Sequence, residues 1–184
     1  FKATTSELAP MNLSENSTDT YRNELISRVR DLGFGDGEEG FQELALDIFR
    51  FQYQHNKVYK NFTDLLHVHP EDVIDHRDIP FLPVESFRDH VISTGVFTAE
   101  VVYRSSGTSH AKSRSKHLIR SLDWYHEISN RIYSHLVSPV KNSVFYALLP
   151  GYIERADASL VAMAKSFMRI SGQDDKFYLD NHRE

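Results

Sequence analysis

Cysteine is absent from all 184 residues. That excludes a disulfide framework, a thiolate metal centre and a cysteine nucleophile able to carry a thioester, and it is compatible with a reducing compartment. Nothing approaches the roughly 18 consecutive apolar residues of a membrane span, so none is expected. No leader with a charged start and an apolar middle opens the chain, which makes a cytoplasmic location the expectation. A Walker A loop is also missing, since no G-x-x-x-x-G-K-[ST] can be read. His126-Glu127 opens the zinc-protease pattern H-E-x-x-H, but Asn130 stands where the second histidine belongs, so that metal site is rejected.

What is present is an ordinary globular composition, 40% hydrophobic and 26% charged, sufficient for one sizeable domain. Charge is divided unevenly. Residues 1–100 hold 9 basic against 18 acidic side chains, whereas residues 101–184 hold 12 against 8. The acidic whole argues against a nucleic-acid binder, and the basic second half points to one anionic ligand. Positive charge is densest from Tyr103 to His117 (Y-R-S-S-G-T-S-H-A-K-S-R-S-K-H). No acid lies between Glu100 and Asp123, while Arg104, Lys112, Arg114, Lys116 and Arg120 all do. Small residues with Gly107 let backbone N–H groups converge on an anion, and hydroxyls and cations add donors. The competing reading is a basic surface turn.

Residues 1–18 read as a leader or flexible tail. Thr18 or Asp19 then caps a helix with Tyr21, Leu25, Val29 and Leu32 on one face, stopped by Gly33. The glycines at 35, 37 and 40 mark a turn. Helical spacing resumes with Phe41, Leu44, Ala45, Ile48 and Phe51, and continues through Tyr59, Phe62, Leu65 and Leu66 after a break near Asn56. The His67/His69 pair precedes Pro70 and reads as loop. Ile79 to Val84 (I-P-F-L-P-V) is an extended apolar connector, because two prolines forbid a helix. A single helical turn over 85–90, a strand at Val91-Ile92-Ser93 and a strand at 96–103 follow. Beyond the basic loop come an amphipathic helix from Ser121 to about Val137 and a buried strand over 143–149 (S-V-F-Y-A-L-L). A helix over 158–170 ending at Gly172, and a strand over 176–179, complete the chain. The expected fold class is therefore α/β: a helical N-terminal half leading into a partial parallel sheet with flanking helices. In such sheets ligands sit beyond the carboxyl ends of the strands, where the Ser105 and Pro150 loops both fall.

Three ordered blocks carry a resemblance. Ile79-Pro80-Phe81-Leu82-Pro83, Ser105-Ser106-Gly107-Thr108 and Leu148-Leu149-Pro150-Gly151-Tyr152-Ile153-Glu154-Arg155 resemble the acyl-protein synthetase family, LuxE type, a branch of the adenylate-forming enzymes. The resemblance implies that residues 19–184 form the N-terminal portion of an adenylate-forming domain. Such a domain activates a fatty or other carboxylic acid with ATP and Mg2+ as an acyl-adenylate, for transfer to a thiol. It implies a phosphate loop of Ser105, Ser106, Gly107, Thr108 and Ser109 with Lys112 and Lys116 adding charge. Tyr152, Glu154 and Arg155 would line the substrate pocket, with no metal held by protein ligands. Ser109-His110 replaces the Thr-Gly that usually continues the family loop. The family's later nucleotide-binding segments, its lid lysine and its acyl-accepting cysteine have no counterpart here. The expected partners are a carboxylic acid and an acyl-acceptor or reductase protein, without nucleic acid or membrane, and with a homo-oligomer allowed. The alternative is a non-catalytic docking module with a degenerate phosphate loop.

Overall fold

The computed structural model describes residues 13–33, 37–105, 114–149, 156–174 and 176–178, in two compact units. The first comprises the chain up to His55 with Thr63–Pro80, the second Asn56–Phe62 with the chain from Phe81.

In the first unit, helix α1 (Leu13–Asp31) packs on helix α2 (Gly37–His55). Leu25, Val29 and Leu32 form one apolar stripe, and it meets Leu44, Ile48 and Phe51 as the periodicity predicts. Arg28 closes the flank by donating to Asp47 at 2.7 Å, and Arg50 reaches the same carboxylate at 3.0 Å. The helix starts earlier than the expected cap at Thr18 or Asp19. Residues 13–18 (L-S-E-N-S-T) contain a single apolar side chain, so hydrophobic spacing carries no signal there. A helix already nucleated on its packed face extends through such a stretch one hydrogen bond at a time. The expected break falls at Asn56. Its buried side chain accepts from the Tyr59 N–H at 3.1 Å and so caps helix α3 (Lys57–Leu65).

The second unit holds a four-residue helical turn α4 (Ser86–Asp89), strands β1 (Val101–Arg104) and β2 (Lys116–Ile119), and helices α5 (Leu122–Leu136) and α6 (Ser159–Ile170). The 91–93 segment, expected as a strand, is irregular, and the strand expected from 96 begins only at Val101. β2 was hidden in the basic loop. It pairs with β1 antiparallel, in the register Val101↔Ile119 through Arg104↔Lys116. The connection over 105–115 sits at the lower limit of a parallel crossover, which needs about a dozen or more residues, so it suits a hairpin better. Among the described residues, parallel pairing is one bridge, Ala147↔Phe177.

The 143–149 run is half-buried rather than buried. Ala147 points inward, while Val144, Tyr146 and Leu148 are exposed. Phe145 joins Tyr133 and Phe167 in a ring cluster with centroids 5.0–5.4 Å apart. Met168, wholly buried, and Val140 complete this core.

The start of α5 and the end of α6 are well satisfied. Ser121 accepts from the Trp124 N–H at 3.1 Å, and Glu100 accepts from the Leu122 N–H at 2.7 Å, placing a carboxylate at the positive end of α5. Helix α6 ends where Gly172 adopts φ +70°, with Gln173 N–H returning to the Met168 carbonyl and Gly172 N–H to that of Arg169. This double closure suits a residue without Cβ. The described chain is thus mixed α/β, mostly helical, with a small two-stranded antiparallel sheet. Among the described residues no helix is long and apolar enough to cross a membrane.

Candidate functional site

Of the residues expected to bind phosphate, Ser105 and Lys116 are described. Ser106, Gly107, Thr108, Ser109 and Lys112 lie outside the described residues, as do Tyr152, Glu154 and Arg155. The hairpin that carries the loop is cross-tied at its mouth. Ser105 N–H donates to the Ser115 carbonyl at 3.1 Å, and Ser115 N–H donates to Ser105 Oγ at 3.1 Å. Arg114 Nε donates to the Ser105 carbonyl at 2.7 Å. Its Nη2 lies 2.9 Å from Asp157 Oδ2, an ion pair made by proximity, outside hydrogen-bond alignment. The Asp157 carbonyl accepts from the Arg104 N–H at 2.8 Å. Through Asp157 the chain just after the 148–155 block is therefore fastened to Arg104, the last residue of β1. On the other side of the hairpin, Phe87 stacks on His117 with centroids 4.8 Å apart, which brings α4, three residues past Pro83, onto β2.

Lys116 is exposed and stands directly opposite the exposed Arg104. Like charges facing each other across two strands repel, and an anion between them removes the penalty. Among the described residues no group of three or more His, Asp or Glu is placed to hold a metal ion.

A second feature lies beneath β1. A cavity of about 220 Å³ opens between β1, α5 and α6. Each element contributes residues at its own period. Val101 and Tyr103 alternate along one face of the strand, while Leu122 and His126 are one turn apart on α5. Ala162, Lys165, Ser166 and Arg169 fall at i, i+3, i+4 and i+7 on α6. Tyr103 also packs its ring 5.5 Å from that of Tyr125, and Tyr125 donates to the Ser159 carbonyl at 3.1 Å, which holds α5 and α6 together at this end.

Two polar atoms of this lining are buried without a hydrogen-bond partner, Ser166 Oγ and His126 Nε2. A serine inside a helix ordinarily returns its hydroxyl to the carbonyl four residues back. Ser129 does so, donating to the Tyr125 carbonyl at 2.7 Å, but Ser166 does not. Leaving a buried hydroxyl unpaired costs about 1–3 kcal/mol. Burial holds the His126 imidazole below its ordinary value of 6.5, with the Arg169 guanidinium pushing the same way against Asp123. Sequence spacing missed this group. His126 was considered only as half of a metal motif, and Ser166 was passed over inside the apolar stripe of α6. A hydroxyl between Lys165 and Phe167 on the buried face was the available signal.

Comparison with protein-family models, with curated proteins and with solved structures finds no match.

Proposed function

We propose that this chain is part of an adenylate-forming domain of acyl-protein synthetase type, in which the loop joining β1 to β2 holds the phosphates of ATP. The observation that carries the reading is the mouth of the hairpin. Two cations, Arg104 and Lys116, face each other there, and the flanks of all three resembling sequence blocks arrive at the same two strands. An opposed cation pair is costly without an anion and suits a polyphosphate with one. The Ser105–Ser115 and Arg114–Asp157 ties hold the two ends of the loop. In this reading a carboxylate oxygen of the acid attacks the α-phosphorus of ATP and pyrophosphate leaves. Mg2+ would neutralise charge on the phosphates, and the chain's own part is positioning and electrostatic stabilisation. The parallel bridge at Ala147 would then be the start of a larger parallel sheet.

Calorimetric titration of the chain with MgATP and with pyrophosphate tests the reading. Saturable binding is expected, and Lys116→Ala should weaken it by roughly ten- to a hundredfold, since a charge-assisted contact contributes about 1.5–3 kcal/mol. Gly107→Val should weaken it at least as much by blocking backbone approach. If neither ligand binds, or if both variants bind like the parent, the loop is a surface turn and the docking-module reading takes its place.

A further inference from the structure

We infer that His126 makes α5 an acid-released helix, in which protonation of the imidazole loosens α5 from α6 and β1 and widens the cavity between them. Nothing in it depends on the nucleotide reading. Its first support is the enclosure of Nε2, which is buried without a hydrogen-bond partner although the ring as a whole is only partly covered. In the neutral imidazole that nitrogen can be the bare one, and the cost is one unpaired acceptor. In the imidazolium both nitrogens carry protons, so a charged donor is enclosed with nothing to accept it.

The surroundings decide which form the closed packing favours. From α6, Lys165 and Arg169 share the cavity lining with His126, and neither α6 nor β1 carries an acid. β1 brings only the Tyr103 phenol to this lining as a titratable group. Asp123 and Glu127 lie on α5 itself, as does Tyr125, and travel with the ring, while Glu100 is engaged with the Leu122 N–H. Burial first, and the Arg169 guanidinium second, hold His126 below its ordinary 6.5 against the pull of Asp123. That α5 is the element that gives follows from burial. None of its residues is buried, whereas α6 buries Val161, Ala162, Ser166, Phe167 and Met168. Segments with little buried surface open first, and the cavity of about 220 Å³ beside His126 leaves room for the ring to move. The closed packing disfavours the charged ring, so opening gains as pH falls from 6.5 to the closed-state value and levels off below it.

The test is hydrogen exchange of the full chain from about pH 7.5 to about pH 5, read as protection factors, while NMR of the His126 ring follows its protonation. Protection of the α5 amides over 126–136 should fall as the ring titrates, by about tenfold for each pH unit that its midpoint lies below 6.5. The Arg104 and Ser105 N–H groups, bonded at the hairpin, should keep their protection. Arg169→Gln should raise the His126 midpoint and Asp123→Asn should lower it, each by a few tenths of a pH unit. His126→Gln should abolish the pH dependence of α5 protection. Arg169 and Asp123 are exposed, so their variants report even if His126→Gln fails to fold. A ring that titrates at or above 6.5, or that titrates without loss of α5 protection, would overturn the inference. So would a parallel loss at Arg104 and Ser105, which would mean that the whole unit opens. Unmoved midpoints in both surface variants, or a pH dependence that survives in His126→Gln, would do the same.

Discussion

Strand β1 serves two regions that treat polar groups in opposite ways. At its carboxyl end, Ser105, Ser115 and Arg114 Nε are tied by hydrogen bonds, and Arg114 Nη2 lies beside Asp157 as an ion pair without a hydrogen bond. Along its inward face, Val101 and Tyr103 border a cavity where a hydroxyl and an imidazole nitrogen are buried with no partner. The difference is one of hydrogen-bond satisfaction. Satisfied networks fix geometry, as a loop holding an anion needs, whereas unpaired buried groups store a cost. The two regions should therefore respond differently to the same kind of substitution.

The largest effect should erase the comparison. Phe167 contacts both Tyr133 and Phe145 and lies on α6 beside Ser166, so its loss undermines the helix that builds the cavity. Phe167→Ala should destabilise by about 3–5 kcal/mol in denaturant unfolding. A cost under about 1 kcal/mol would mean that the ring cluster is not the core of this unit.

Arg114→Ala should divide the regions. Removal of the guanidinium deprives the Ser105 carbonyl and Asp157 of their shared partner, at a cost of about 1–3 kcal/mol. Amide exchange at Ser105 and Ser115 should accelerate while exchange in α6 stays unchanged. Equal acceleration in α6 would show that the hairpin and the cavity open together.

A smaller effect should appear with pH. His126 is held below 6.5 in the folded chain, so between its folded value and 6.5 the unfolded chain binds more protons. Stability should rise with pH across that window, and the contribution is lost as pH falls through it. His126→Gln should flatten this part of the stability profile. An unchanged slope would place the titrating group elsewhere.

Much of the helical framework could be read in the sequence, because Leu25, Leu44 and Phe51 keep helical spacing and Asn56 and Gly172 are strong punctuation. The sheet was harder. Lys116-His117-Leu118-Ile119 is a short strand whose first residues look like loop, so its pairing with β1 is a tertiary preference rather than a local one. The exposed face of Val144, Tyr146 and Leu148 misled for a related reason, since a run of apolar residues does not reveal which side is covered. The basic loop was conspicuous because charge is visible in composition. The cavity was not, because its polarity is five side chains from three elements, adjacent in space alone.

The finest distinction compares two serines on the two sides of β1. Ser105 Oγ accepts from the Ser115 N–H, so Ser105→Ala strands a backbone donor and should cost about 1–2 kcal/mol. Ser166→Ala deletes a hydroxyl with no partner and replaces serine by the best helix former, gaining up to about 0.5 kcal/mol of propensity. The small void it leaves is offset by the lost desolvation penalty, so the net change should lie between neutral and about 1 kcal/mol of added stability. Chemical denaturation of the two variants beside the parent measures both numbers. Opposite signs would identify Ser105 as structural and the Ser166 hydroxyl as unpaired in the folded chain. If Ser166→Ala instead destabilises by more than about 1 kcal/mol, its hydroxyl already has a partner in the free protein, and the contrast between the two regions fails.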